Sequence, residues 1–140
     1  MRQILLFALL AASLALLSGC ALSRAKADTA EDMTDKAAYQ KISAEEAYEM
    51  MASQEVVVVD VRAREEYESV HIENAVLVPN ENIGREMPEA LPDKEATLLI
   101  YCRSGRRSKD AAEKLLSLGY QSVYDFGGVI DWPYELVKEG

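Results

Sequence analysis

The sequence predicts an α/β domain built on a small parallel sheet covered by helices on both faces. Two kinds of segment carry that expectation. Short β-branched or apolar runs recur at residues 56–59 and 97–101, too brief for helices. Before and after them stand helical patterns, the clearest at residues 43–53 and 108–118. Wholly apolar short strands are buried on both faces, and strands that alternate with helices pair in parallel.

In chain order, the first segment reads as a leader. Met1, Arg2 and Gln3 precede an apolar run at residues 4–17 that only Ser13 interrupts. The run is shorter than the ~18 residues of a membrane span and fits the core of a signal peptide. It ends in Leu17-Ser18-Gly19-Cys20, which resembles a bacterial lipobox. That resemblance implies that Cys20 is acylated, becomes the new N-terminus and anchors the chain to a bacterial membrane without spanning it. Ala21 stands where an inner-membrane retention signal would have Asp. The expected location is outside the cytoplasm, periplasmic or at the cell surface. Residues 20–40, poor in large apolar side chains, are expected to form a tether, and residues 41–140 the domain.

Within the domain, Ser43 and Glu46 make a capping box for a helix that ends near Ser53. Residues 56–59 form a buried strand, residues 65–70 a short helix, and residues 75–78 a second strand stopped by Pro79. Asn80 is expected to cap a further short helix carrying Ile83 and Met87, before Pro88 and Pro92. Residues 97–101 form the third strand. The helix at 108–118 presents Ala111, Ala112, Leu115 and Leu118 inward and closes at Gly119. A fourth strand spans residues 123–126. Gly127 and Gly128 are expected to turn the chain into a last helix holding Trp132 and Leu136.

Composition excludes several functions. Acidic residues outnumber basic ones 24 to 15, for a net charge of -9. That is not the footprint of a nucleic-acid binder, so no nucleic-acid partner is expected. Two cysteines and one histidine are too few for a zinc or iron–sulfur site, and neither metal nor cofactor is expected.

Against this acidic background stands Cys102-Arg103-Ser104-Gly105-Arg106-Arg107-Ser108. The stretch joins the end of a buried strand to the start of a helix, where open α/β sheets bind ligands. A helix N-terminus there aims amide N–H groups and the helix dipole at one point. Gly105 lets the backbone curl. Three arginines lie within five residues, opposite in sign to the chain as a whole, which points to an anion site. The same field favours thiolate at Cys102, and thiolate is the nucleophile.

The sequence resembles the single-domain rhodaneses, a family of sulfurtransferases. The likeness lies in separated blocks in order: Asp60-Val61-Arg62 with Glu65-Glu66-Tyr67 and His71-Ile72; residues 75–79; the Tyr101–Ser108 stretch; Leu118-Gly119-Tyr120; and Gly127-Gly128 with Trp132. It implies the rhodanese-like fold and a double displacement. Cys102 takes the outer sulfur of a small anionic donor such as thiosulfate as a persulfide, and a thiol or cyanide acceptor then removes it. The loop from Cys102 to Arg107, with Ser104 and Gly105, would cradle that sulfur. Arg103, Arg106 and Arg107 would hold the donor's sulfonate. Asp60, Arg62 and His71 are implied to support the scaffold, Glu65 to cap the short helix, and Trp132 to pack in the core. Val70 and Asn74 replace glycines common in the family; Asn tolerates the left-handed region and Val does not.

Three alternatives bear on this expectation. A phosphatase of the same fold places an arginine six positions after the cysteine, where this chain has Ser108. A thiol redox protein would want a resolving cysteine besides Cys102. A non-catalytic sulfur carrier, sensor or partner-binding module would keep the same fold and the same cysteine.

Overall fold

The computed structural model describes residues 37–139; the expected leader, Cys20 and the expected tether up to residue 36 lie outside the described residues. Five strands form one sheet: β1 (Gln40–Lys41), β2 (Val57–Asp60), β3 (Val76–Leu77), β4 (Thr97–Cys102) and β5 (Ser122–Gly128). Their spatial order is β1-β5-β4-β2-β3 and every pairing is parallel. The helices are α1 (Ala44–Ser53), α2 (Arg64–Ser69) and α3 (Arg106–Ser117). The α/β class and the parallel sheet are as the sequence predicts.

Side-chain alternation sorts the core into two layers. From β4, Leu98, Ile100 and Cys102 join Ala111, Ala112 and Leu115 of α3 on one face. Leu99 and Tyr101 point the other way, toward Ala47 of α1, Phe126 and Trp132. Cys102 thus faces α3 because it continues the Leu98–Ile100 row. The central strand β4 is buried over five of its six residues and its neighbour β2 over three of four, as their leucine and valine runs require.

Ser43 caps α1 as expected. Its Oγ accepts from the Glu46 amide at 3.1 Å, and Glu46 Oε2 accepts from the Ser43 amide at 2.7 Å. At Asn74 the backbone is left-handed, with φ 62°, while Val70 is extended at φ -158°. The turn therefore places its one positive φ on the residue that tolerates it.

Four expectations are corrected. Asn80 caps no helix: residues Asn80–Asn82 form a single 3₁₀ turn, and the Asn80 amide group instead donates to Asp110 Oδ2 at 2.8 Å. Glu66, not Glu65, closes the start of α2, where its carboxylate accepts from the Ala63 amide at 3.2 Å. Gly127 and Gly128 extend β5 and lead to a 3₁₀ turn, Val129–Asp131, in place of a last helix. Pro133 supplies the reason, since it has no amide to donate and pushes Trp132 to an extended ψ of 112°. Finally, α3 starts at Arg106, two residues before the expected Ser108.

One strand carries no signal in the sequence. β1 is two residues long and pairs Gln40 with Tyr124 and Lys41 with Asp125. Just before it, Tyr39 donates its hydroxyl to Asp125 Oδ2 at 2.7 Å. The end of the expected tether is thereby tied into the sheet.

Candidate active site

Cys102 is the last residue of β4 and is buried, at 1% exposure. Arg103, Ser104 and Gly105 form the loop, and Gly105 takes φ 98° to cap α3. That left-handed angle turns the Gly105 amide back onto the sulfur, which it reaches at 3.1 Å. Ser108, in the first turn of α3, brings its Oγ to 3.7 Å from the same sulfur. Burial alone pushes the Cys102 thiol up. The Ser108 amide and hydroxyl and the Ser104 and Gly105 amides outweigh it, and the net direction is down.

The end of β5 makes room for the loop. A bulge after the Ile100–Asp125 pair sets Gly127 beside Tyr101 and Gly128 beside Cys102. A side chain at position 128 would overlap Arg103 O and lie 2.6 Å from Ser104 Cα. The loop is held from outside by the Ile130 amide, which donates to Arg103 O at 3.3 Å. The Gly127-Gly128 pair, expected only to turn the chain, thus lets two backbone segments touch behind the cysteine.

The three arginines occupy different surroundings. Arg103 and Arg106 are exposed. Arg107 is half-buried, and its Nη1 and Nη2 donate to Glu66 Oε2 and Oε1 at 2.7 and 2.9 Å. That pairing holds the Glu66 carboxyl below the usual carboxylate range. Arg106 and Arg107 fill the first turn of α3, which carries no acidic residue. Cations at a helix N-terminus oppose the dipole, and an anion bound there would relieve that cost. A cleft bounded by Asn80, Arg106, Arg107 and Asp110 opens beside this turn.

Asp60 and Arg62 lie at the end of β2, both buried. Asp60 accepts from Arg62 Nε at 2.9 Å and from Nη2 at 2.6 Å, and the same Nη2 donates to Val70 O at 2.6 Å. This pair fixes the far end of α2, the helix that carries Glu66. His71 stacks on Tyr67 at 3.9 Å between ring centroids, with Nδ1 2.9 Å from Tyr67 O. Its backbone exchanges two hydrogen bonds with Val137, holding the C-terminal segment. Trp132 is buried among Phe126, Tyr48 and Tyr134.

Asp125 is the residue of this region that sequence reading missed. Its carboxylate is buried and accepts from Ser108 Oγ at 2.7 Å. The available signal was a lone acidic residue inside an otherwise apolar strand pattern, two positions before the paired glycines.

Comparison with known proteins fits this geometry. Thiosulfate sulfurtransferase PspE of Escherichia coli (strain K12) is 36% identical over 80 residues, 57% of this chain and 77% of that protein. The tRNA uridine(34) hydroxylase of Hamiltonella defensa subsp. Acyrthosiphon pisum (strain 5AT) is 35% identical over 116 residues, 78% of this chain but 33% of that protein. The chain therefore spans about a third of that longer relative. Among solved structures, a rhodanese-related protein from Thermoplasma volcanium superposes with TM-score 0.63 at 30% identity, covering 72% of this chain and all of that one. The family profile described as "Rhodanese-like domain" matches residues 43–133, from the cap of α1 to the proline after Trp132. With the cysteine loop, the paired glycines and four of the sheet's five parallel strands (β2 to β5) inside that match, the chain belongs to the rhodanese-like family.

Proposed function

We propose that the protein is a sulfurtransferase that moves sulfane sulfur from a donor such as thiosulfate to a thiol or cyanide acceptor through a Cys102 persulfide. The observation that carries this reading is the Cys102 sulfur, buried yet directed toward thiolate by the Gly105 amide and the head of α3. In the first half-reaction the thiolate attacks the outer sulfur of thiosulfate. A new S–S bond forms, the donor's S–S bond breaks, and sulfite leaves with the electron pair. In the second, cyanide attacks the outer persulfide sulfur, the Sγ–S bond breaks, and thiocyanate leaves with Cys102 as thiolate. Arg103 and Arg106 stand free to meet the donor's sulfonate, with Arg107 behind them. The PspE relative, named for thiosulfate sulfurtransfer, supports this choice of donor.

The test is the mass of the purified chain after thiosulfate. A gain of one sulfur on Cys102, absent in Cys102→Ser and lost on adding cyanide, is the expected result. Iodoacetamide labelling of Cys102 should also rise with pH at a midpoint below the ordinary thiol value of about 8.5. An unchanged mass overturns the catalytic reading.

A second reading is a domain that carries sulfur or recruits a partner without turnover. The hydroxylase relative favours it, because there the same kind of domain makes up part of a protein named for another reaction. Persulfide formation without discharge to any acceptor would select it. We further propose, from the Leu17–Cys20 box alone, that acylation of Cys20 anchors the protein to a bacterial membrane with the domain outside the cytoplasm. Membrane recovery of acylated wild type, with acylation lost in Cys20→Ala, is the matching observation.

A further inference from the structure

Ser108 is fully buried, and its hydroxyl has one proton to give. Four acceptors lie around its Oγ: Asp125 Oδ1 at 2.7 Å, Gly105 O at 3.1 Å, Gly127 O at 3.3 Å and Cys102 Sγ at 3.7 Å. The carboxylate is both closest and charged, so it takes the proton while the sulfur is neutral. The Ser108 lone pairs then face Cys102, and the thiol donates to them.

Asp125 does not depend on Ser108. Its Oδ1 also accepts from the Gly127 amide at 2.8 Å and lies 3.3 Å from Lys41 Nζ, and its Oδ2 accepts from Tyr39 at 2.7 Å. Burial, and then the bond to Asp125, push the Tyr39 phenol above its ordinary range, so it remains a donor. With these other donors in place, losing the Ser108 proton costs the carboxylate little. The hydroxyl is free to turn toward a sulfur that carries charge.

We propose that Ser108 is a hydroxyl switch on Cys102, and that Asp125, with Lys41 as its counter-ion, sets which way the switch stands. The use of the switch rests on the sulfurtransferase reading. In the persulfide, Sγ is bonded to the outer sulfur and the hydroxyl stays on Asp125. When an acceptor removes the outer sulfur, the Sγ–S electron pair returns to Sγ, and the hydroxyl turns to donate to that leaving thiolate. Asp125 and Lys41 are positioning residues, since neither touches the transferred sulfur. Lys41 reaches its place because Gly127 has no side chain: a Cβ there would lie 3.0 Å from the ammonium. The same ammonium lies 4.0 Å from where a Gly105 side chain would begin. The edge strand β1 thus contributes a cation directly beneath the loop.

The test is the pH midpoint of iodoacetamide labelling at Cys102, read by peptide mass in the full chain beside thermal unfolding. A midpoint, unlike a rate, does not depend on how readily the reagent enters. Of the charged and titratable groups near the pair, Arg107 of α3 acts on Cys102, Lys41 and Tyr39 act on Asp125, Lys109 and Glu113 of α3 act on Tyr39, and Asp60 of β2 acts on Arg107. Ser108→Ala should raise the midpoint, and Asp125→Asn should lower it, each by on the order of one pH unit. Lys41→Met should raise it by less. Both charge substitutions should lose most of their effect in a Ser108→Ala background, because they act through the hydroxyl. Ser108→Ala should also slow discharge of a preloaded persulfide more than its loading.

Shifts that persist unchanged in the Ser108→Ala background would mean a plain field effect and overturn the switch. So would a wild-type midpoint in Ser108→Ala. If Asp125→Asn does not fold, Lys41→Met, at a side chain half exposed on the edge strand, carries the same cycle. Labelling midpoints need no sulfur donor. A chain that shows these couplings yet takes no sulfur from thiosulfate keeps the switch and loses the sulfurtransferase reading; additive shifts with normal transfer do the reverse.

Discussion

Arg107, in the first turn of α3, meets Glu66 of α2 nitrogen to oxygen on both sides, at 2.7 and 2.9 Å. The two residues lie 41 positions apart in the chain, and their pairing joins α2 to α3 and sets a carboxylate beside the head of α3. Its two consequences have opposite sign. The contact stabilises the fold, while under the proposed function it also holds Arg107 away from the sulfur donor.

Glu66→Gln separates those consequences. It should cost about 0.5–1 kcal/mol of stability, the range for a half-exposed pair. It should also lower the KM for thiosulfate a few-fold at unchanged kcat, as Arg107 is released and a negative charge removed. The pH dependence has a fixed sign, because pairing depresses the Glu66 carboxyl in the folded state. Its contribution is fully present above the ordinary carboxylate value of about 4.3 and fades as pH falls below it. Denaturant melts at pH 7 and pH 4 should show the difference between variant and wild type shrinking. A KM that rises would mean that the Glu66 contact itself holds Arg107 in its working position.

Arg62→Ala should be far more damaging. Arg62 and Asp60 are 3% and 0% exposed, so the substitution strands a buried carboxylate and frees Val70 O. A loss of about 3–5 kcal/mol is expected from urea unfolding, or failure to fold. Replacing both residues by apolar side chains should recover part of that loss, since the stranded charge is then gone.

Gly128→Ala tests the packing of the loop against β5. The added methyl would overlap Arg103 O, a backbone atom that no rotamer change can move. The cost should be about 1–3 kcal/mol or more, with sulfur transfer falling alongside as the loop is pushed off the sulfur. Gly84→Ala is the control, because a methyl there meets nothing within 4 Å.

The parts of this fold that could be read in the sequence are those set by local rules. The Val57–Asp60 and Thr97–Cys102 strands announce themselves by β-branched and apolar runs, and α1 by its capping box. The cysteine loop is legible because Gly105 and three arginines sit together against an acidic chain. What was hidden depends on distant partners. A strand as short as Gln40–Lys41 has no period to detect and exists because β5 offers it an edge. The last helix is absent because Pro133 holds Trp132 extended, and because Gly128 serves a contact with Arg103 and Ser104 rather than a turn. Nothing local distinguishes Arg107, bound to Glu66, from Arg106, and Asp125 acquires its place only when β5 lies against Ser108.

Loop length is where sulfur transfer and phosphoryl transfer separate. Position six after Cys102 is Ser108, whose hydroxyl faces the sulfur and Asp125, while Arg107 at position five turns to Glu66. No arginine therefore occupies the place from which a phosphatase grips its substrate's oxygens. Inserting one glycine after Gly105 moves Arg107 to the sixth place and carries Ser108 beyond it. The Gly105 amide stays with Cys102, but the head of α3 no longer converges on one sulfur atom. Sulfur transfer should fall by about 100-fold or more, as when a single preorganised donor is lost. Hydrolysis of an aryl phosphate, weak at first, should rise, because a wider ring with an arginine at its end suits three equatorial oxygens. The wild type should transfer sulfur far faster than it hydrolyses the phosphate. A wild type that hydrolyses aryl phosphate readily and takes no sulfur from thiosulfate would show that five residues and a serine suffice for the larger anion.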